Sequence, residues 1–312
     1  MNSLSKVVYL EIDESGDAQR IDNFLFRHLK GVPKSHIYRM LRGEVRVNKK
    51  RVDQTYRLKL GDLLRIPPVR VASQEESPKV YIPAAELPIL YEDDALLAVN
   101  KPAGIAVHGG SGVSFGVIEQ MRRARPEAKF LELVHRLDRE TSGVLLLAKK
   151  RSALTGMHEI MREGNSDKRY LALVLGRWTN VRQHVRLPLH KYDTEDGEKR
   201  VMVREGGQAS HTIFSLQKSW PGYSLLEAEL KTGRTHQIRV HLAHLGFPIA
   251  GDDKYGDFAR NRELAKQGLK RMFLHAQSIA FNHPLTGEAL TVAAPLPMEL
   301  QGFISRLDRG NS

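Results

Sequence analysis

The chain has 312 residues, 41% of them hydrophobic, enough to bury a sizeable core and to build one large domain with a smaller one. It contains no cysteine, which removes disulfides, thiolate metal sites and cysteine nucleophiles together. No apolar run reaches the ~18 residues of a membrane span, and Met1 to Lys6 lacks the apolar stretch of a signal peptide, so no membrane association and a cytoplasmic location are expected. The formal net charge of +12 is unevenly spread: between Arg20 and Arg70, 14 Lys/Arg face the four acids Asp22, Glu44, Asp53 and Asp62, a local excess of +10. Acids this sparse point to a polyphosphate-binding module, because Lys and Arg displace the counterions of nucleic acid, whereas a face kept for solubility alone intersperses them.

Within that basic segment, Ile21, Phe24, Leu25, His28 and Leu29 recur with the spacing of an amphipathic helix closed by Gly31. A second helix follows Pro33, with Ile37, Met40 and Leu41 inward and Lys34, Arg39 and Arg42 outward, ending at Gly43. Val45 to Asn48, a turn at Lys49-Lys50, and Val52 predict a small strand pair, and Gly61-Asp62 a turn before the strand Leu63 to Ile66. Lys34, Arg39, Arg42, Arg46, Lys49, Lys50 and Arg51 are the candidate RNA contacts of this module. Residues 1–17 read as an N-terminal extension, 18–80 as the module, 68–88 as a linker region rich in Pro, Ser, Glu and Ala, and 88–312 as the second domain.

The second domain opens on a hairpin, Ile89 to Tyr91 and Ala95 to Val99, and continues into Asn100-Lys101-Pro102. The glycines of His108-Gly109-Gly110-Ser111-Gly112 fit neither a phosphate-cradling loop nor a dinucleotide fingerprint. The polar nonapeptide His135 to Gly143 runs into Val144-Leu145-Leu146-Leu147-Ala148, so it is a loop delivered onto a buried strand. Asp138 is its candidate reactive group. With Arg136 and Arg139 as neighbours, its carboxylate has cations to keep it available as a base or nucleophile, and a surface ion pair is the competing reading. Ser152 suits an N-cap for a helix with Leu154, Met157, Ile160 and Met161 on one face, ending at Gly164. Lys168 to Leu175, headed by Tyr170, reads as a strand buried on both faces. Between Thr179 and Gly207 only a strand at Lys199 to Arg204 can be placed. After the strand Tyr223 to Leu230, Thr235 suits the cap of a helix whose inner face is Ile238, Leu242 and Leu245, with Arg239 able to reach a neighbouring carboxylate. His236, His241 and His244 lack a His-Glu-x-x-His spacing and an accompanying carboxylate, so no metal is expected. A turn at Gly251 to Gly256, strands at Leu274 to Phe281 and Ala289 to Val292, and a helix from Pro297 complete the chain.

The stretches Arg20-Ile21-Asp22, Gly43 to Asn48 and Lys59 to Asp62 resemble the S4 RNA-binding domain, which implies recognition of folded RNA by shape and backbone. His135-Arg136-Leu137-Asp138-x-x-Thr141-Ser142-Gly143, Lys168-x-Tyr170, and Thr232-Gly233-Arg234-x-His236-Gln237-Ile238-Arg239-x-His241 are similar to the signature motifs of the RluA-type pseudouridine synthases. Asn100-Lys101-Pro102 and Gly251-Asp252-x-x-Tyr255-Gly256 match as well, and the resemblance covers nearly the whole chain.

That resemblance implies an α+β architecture: a small S4-like domain, then a catalytic domain on a mixed, mostly antiparallel sheet with flanking helices. It implies isomerisation of uridine to pseudouridine in large-subunit ribosomal RNA, by a monomer with no cofactor. Asp138 is then the catalytic carboxylate, Arg239 its ion-pair partner, Tyr170 the ring under the target uracil and Ile238 the apolar wall, with Arg136, His135 and Thr141 supporting the site. Whether Asp138 attacks covalently or takes a sugar proton stays open. Two other functions compete. A noncatalytic RNA-binding protein would need only the basic module, while a base glycosidase or nuclease would need an activated water and a second carboxylate, for which Glu140 is the nearest candidate.

Overall fold

A computed structural model describes residues 6–14, 16–29, 31–69, 83–84, 87–109 and 115–310. The chain divides into two compact units, the first formed by residues 1–81 with 150–152 and the second by residues 82–149 and 153–312. The linker reading at 68–88 falls mostly outside the described residues, as do Gly110, Ser111 and Gly112.

In the first unit, β1 (Val8–Glu11), α1 (Ile21–His28), α2 (Lys34–Gly43), β2 (Arg46–Val47) and β3 (Leu63–Ile66) surround one core. The apolar faces of both helices, Ile21, Phe24, Leu25, Ile37, Met40 and Leu41, close over Val45, Val47, Leu58, Leu64 and Ile66. The strands are ordered β1-β3-β2, so Val47 pairs with Leu64 rather than starting a hairpin with Val52. Asn48 and Lys49 both take positive φ, 51° and 67°, which turns the chain sharply at once and leaves Val52 outside any strand. The Asp62 carboxylate fixes the preceding turn by accepting from Asn48 Nδ2 at 2.8 Å, Tyr56 Oη at 3.1 Å and the Lys59 amide at 2.9 Å. Residues 8–11, read from sequence as part of an extension, pair antiparallel with β3 from Val8 opposite Ile66 to Glu11 opposite Leu63. They cover an edge that would otherwise expose unpaired backbone groups, and Ile12 joins the core.

The second unit is built on a ten-stranded sheet. Its elements are β4 (Ile89–Glu92), β5 (Leu96–Lys101), α3 (Val117–Ala124), β6 (Glu132–Leu133), β7 (Ser142–Ala148), α4 (Arg151–Glu163), β8 (Ser166–Leu175), β9 (Arg182–Val185), β10 (Leu189–Asp193), β11 (Lys199–Val203), β12 (Thr212–Trp220), β13 (Tyr223–Leu230), α5 (Gln237–His244), α6 (Phe258–Lys266), β14 (Leu274–Asn282), β15 (Ala289–Ala293) and α7 (Met298–Arg309). The sheet runs β4-β5-β7-β14-β8-β13-β12-β9, with β6 added on β7 and β15 on β14, while β10 and β11 form a separate hairpin. Among the described residues only the β7–β14 pairing of this sheet is parallel, so the sheet is mixed and mostly antiparallel.

Alternation along the strands divides the core. Leu97, Val99, Leu145, Leu147, Tyr170, Ala172 and Val174 pack with α3 and α5, whereas Leu96, Ala98, Leu146 and Ala148 pack with α4, and Leu173 with Leu264, Leu300 and Phe303 of α6 and α7. β7 is buried along its full length, as its uninterrupted apolar run predicts. Gly143 is required where it stands: at φ +113° a Cβ would lie 2.1 Å from the Ala276 carbonyl oxygen of β14.

Two expected caps fall elsewhere. α4 begins at Arg151, one residue before Ser152. α5 starts at Gln237 with His236, not Thr235, in the N-cap position and in the left-handed conformation. The reason is Gln237, whose Oε1 accepts from Thr232 Oγ1 at 2.8 Å and from the Arg234 amide at 3.0 Å, tying the preceding loop through the helix's own first residue. No helix among the described residues is long and apolar enough to cross a membrane.

Candidate active site

The loop between β6 and β7 carries Asp138, and its backbone is held from behind by two cations, the buried Lys101 and the half-buried Arg271. Lys101 Nζ, at the end of β5, donates to the carbonyls of Pro102, Ile105 and Arg139 at 2.8, 2.7 and 3.0 Å. Burial pushes its pKa down to about 7, since three carbonyls satisfy its donors without neutralising it. Arg271 Nη2 donates to the next carbonyl, Glu140, at 3.2 Å and to Ser142 Oγ at 2.9 Å. Thr141, also buried, closes the turn by donating its amide to the Asp138 carbonyl at 3.1 Å.

α5 and the loop after it supply the partner. Arg239 is 4% exposed and lies between two carboxylates: Nη1 donates to Asp138 Oδ2 at 3.1 Å, while Nε and Nη2 form a two-pronged pair with Asp252 at 2.8 and 2.7 Å. Burial opposes the charge of Arg239, but hydrogen bonding and attraction to Asp252 and then Asp138 outweigh it and raise its pKa. Asp252, itself buried, is held below the usual carboxylate range: burial acts against its charge, and Arg239 together with the amides of Lys254 and Tyr255 more than offsets it. The cations beside Asp138 in sequence do not pair with it. Arg139 donates to the Gly104 carbonyl and pairs with Glu140, so the charge facing Asp138 comes from an arginine 101 positions further along the chain.

A second group faces the same carboxylate. Tyr255 Oη accepts from the Val201 amide at 2.9 Å and lies 2.8 Å from His236 Nδ1. When the hydroxyl donates to Nδ1, the proton of a neutral His236 is on Nε2, which lies 3.9 Å from Asp138 Oδ1. Burial lowers the pKa of His236, the attraction of Asp138 offsetting it only in part.

These groups open onto one cleft of about 570 Å³, lined by Arg136, Asp138, Thr141, Lys168, Tyr170, Ile238 and Arg239 among others. Tyr170 is on β8, opposite a bulge in β14 between Ala276 and Ser278, and burial followed by the Asp138 charge raises the pKa of its hydroxyl. Ile238 is buried in the first turn of α5. Arg136 is exposed, and its side chain has no hydrogen bond or ion pair among the described residues. His135 lines the cleft too, but its Nε2 accepts from the Leu146 amide at 3.2 Å, which makes it a brace of the loop.

The other two histidines of this stretch go separate ways. His241 is fully buried between Ser210 and Thr212, at 2.8 and 3.0 Å, and His244 is exposed. Among the described residues no group of three or more His, Asp or Glu is placed to hold a metal ion. In the first unit, Lys34, Arg39, Arg42, Lys49, Lys50 and Arg51 are exposed. Arg46 is half-buried and turned inward, donating to the Val45 and Gly43 carbonyls at the end of α2. Sequence reasoning assigned no role to Asp252, Tyr255, His236, Lys101 or Lys168. All five lie within the motifs, and their roles depend on partners distant in the chain.

A carboxylate paired with a buried arginine, beside a tyrosine and an apolar wall, on a mixed sheet preceded by a basic module, is the architecture of an enzyme that acts on a base of RNA. The chain belongs to the RNA pseudouridylate synthase family, whose model matches residues 95–244, and carries an S4 domain at residues 19–64. It is 54% identical over 309 residues to the ribosomal large subunit pseudouridine synthase C of Escherichia coli K12, covering 97% of this chain and 96% of that protein. To the protein of the same name from Pasteurella multocida it is 52% identical over 312 residues, covering 98% and 95%. Two human structures share the fold: RNA pseudouridylate synthase domain containing 4, at TM-score 0.58 and 27% identity over 70% of this chain and 92% of that one, and domain containing 1, at 0.58 and 28% over 70% and 87%.

Proposed function

We propose that this enzyme converts specific uridines of large-subunit ribosomal RNA to pseudouridine, with Asp138 as the catalytic carboxylate. The substrate follows from the names of relatives that align over nearly the full length. The observation that carries the residue assignment is the Asp138–Arg239 pair in the cleft that Tyr170 and Ile238 also line.

The reaction breaks the C1′–N1 bond, turns the freed uracil and joins C1′ to C5; the proton on C5 is lost and N1 gains one. No redox change accompanies it. One anionic group suffices, either adding to C1′ and leaving again or removing a sugar proton to start elimination. Arg239 holds that group in its charged form and in place, while Tyr170 and Ile238 supply flat and apolar surfaces against which a detached base is retained. His236 Nε2–H stands on the other side of the carboxylate, able to donate to Asp138 Oδ1 once the groups close. A uridine in folded RNA must be flipped out to reach them, and the exposed, unpaired Arg136 is the group assigned to the vacated gap.

The test is Asp138→Asn, which keeps shape and removes charge. With ribosomal RNA labelled with tritium at uracil C5, the wild type releases tritium and the variant releases none, while RNA binding persists. Undiminished release by Asp138→Asn sinks the assignment. Carbodiimide mapping of the product RNA identifies the modified positions.

A further inference from the structure

Of the cations that line the cleft, most are engaged. Arg239 is held by Asp252 and Asp138, Lys231 pairs with Glu229, Arg162 with Glu159, and Arg234 donates to the Ala209 carbonyl. The side chains of Arg136 and Lys168 have no hydrogen bond or ion pair among the described residues. Arg136 is exposed, but Lys168 is partly buried inside the cleft, where an uncompensated charge is costly.

The alternation of β8 explains why it is left alone. Lys168 and Tyr170 project to one face, while Asp167 and Arg169 project to the other. There Arg169 gathers the nearby acids, with Nε 2.7 Å from Asp167, Nη1 2.8 Å from Glu227 and 3.4 Å from Glu229. Burial lowers the pKa of Lys168, and no carboxylate acts to restore it. An ammonium kept in that state inside a binding cleft is matched by an anion that arrives with the substrate.

Resting on the reading of this cleft as a uridine pocket, we propose that Lys168 seats a phosphodiester group flanking the flipped nucleotide. Lys168 stands one pleat repeat, ~7 Å, along the strand from Tyr170, so a base placed on the Tyr170 ring brings its own backbone within reach of the four-carbon side chain. The uracil carbonyls are neutral and would leave the ammonium uncompensated, whereas a phosphate oxygen both accepts its hydrogen bonds and cancels its charge. Lys168 is thereby a binding and positioning residue that fixes where the target nucleotide enters the cleft. It takes no part in bond breaking.

The experiment uses the full-length chain, its Lys168→Met and Lys168→Arg variants, and a short RNA holding one uridine already mapped as a target. Two further versions of that RNA carry a neutral methylphosphonate at the linkage 5′ or 3′ to the target. Lys168→Met should weaken binding about tenfold at low salt and lower the slope of log Kd against log salt by about 0.7 to 0.9. Lys168→Arg should recover most of both. One of the two methylphosphonates should weaken the wild type to the same degree and leave Lys168→Met unaffected. Thermal unfolding of Lys168→Met should be unchanged or raised, because a buried charge without a partner has been removed.

Three results overturn the proposal: an unchanged salt slope in Lys168→Met, losses from variant and methylphosphonate that simply add at both linkages, or a fall in single-turnover rate at saturating RNA with unaltered binding. The last would place Lys168 on the base itself. A wild type that releases no tritium from any uridine removes the pocket reading and this proposal with it, whereas an active wild type with an indifferent Lys168→Met removes the proposal alone.

Discussion

Arg239 presents two edges of one guanidinium to two carboxylates, Nε and Nη2 to Asp252 at 2.8 and 2.7 Å and Nη1 to Asp138 at 3.1 Å. The tighter, two-pronged contact sets the plane of the group, so Asp252 determines where the third nitrogen meets Asp138. Asp252→Asn should therefore lower the single-turnover rate by about 10²-fold, the effect of a misplacement of order 1 Å. It should also destabilise the fold by about 3–5 kcal/mol, the usual consequence of leaving a buried charge without its partner. Arg239→Lys keeps the charge but cannot serve both carboxylates in one plane, and a similar loss of rate is expected. Tritium release and thermal unfolding report the two effects separately; full activity in either variant would show that the pair does not position Asp138.

The second prediction concerns base flipping. Arg136 lines the cleft, is exposed and has a side chain with no hydrogen bond or ion pair among the described residues, so nothing among them holds its guanidinium out of an RNA stack. Arg136→Ala should slow modification of structured RNA much more than that of a flexible single-stranded substrate, where unstacking costs less. Fluorescence of 2-aminopurine beside the target uridine reads flipping directly. Equal slowing on both substrates with unchanged flipping would assign Arg136 to phosphate contact or scaffold.

Removing residues 1–81 takes away half of the chain's net positive charge of +12, the basic stretch from Arg20 to Arg70 included, and a unit with its own core. RNA binding should weaken and its salt dependence flatten, while the second unit keeps its sheet and cleft. Filter binding across a salt series decides this. A truncated protein that binds its target RNA as tightly and as salt-sensitively as the whole chain would contradict it.

Stability should fall on mild acidification. His241 is buried, and Ser210 Oγ, which donates to the Leu187 carbonyl, leaves it an Nε2–H to accept, so the ring is neutral and satisfied as it stands. Burial holds its folded pKa at about 4, and the unfolded chain titrates near ~6.5. Between those values the unfolded state binds the proton that the native state refuses, so stability is complete above pH ~6.5 and is lost as pH falls towards about 4. His135, whose pKa burial also lowers to about 4, acts in the same direction. Each can contribute up to about 3 kcal/mol. The midpoint of thermal unfolding should drop steadily from pH 7 to pH 5, and less steeply in His241→Gln; identical slopes would exclude His241 as a source.

Much of this fold was legible because the signals are local. The α1 and α2 faces, the apolar run of β7, the β4–β5 hairpin and the turn before β3 are each set by residue spacing or by a glycine. So was the separation of a basic module from a larger domain. Asp138, Tyr170 and Ile238 were found through motif resemblance, each in a short stretch that carries its own pattern. What the sequence alone left undecided depends on distant partners. Residues 8–11 become a strand because β3 offers an unpaired edge, and β9 and β12 form because they pair with each other beside β13, although their sequences alternate weakly. Thr235 has the chemistry of a helix cap, but Gln237 makes bonds to Thr232, Arg234, His211 and Thr212 that move the helix start. Asp138 has arginines on both sides in sequence, but the arginine that pairs with it is Arg239 of α5, oriented by a carboxylate from a further loop. Charge pairing depends on distance and direction in space, and neighbours along a loop have neither fixed until the sheet has brought β7, β8 and α5 together.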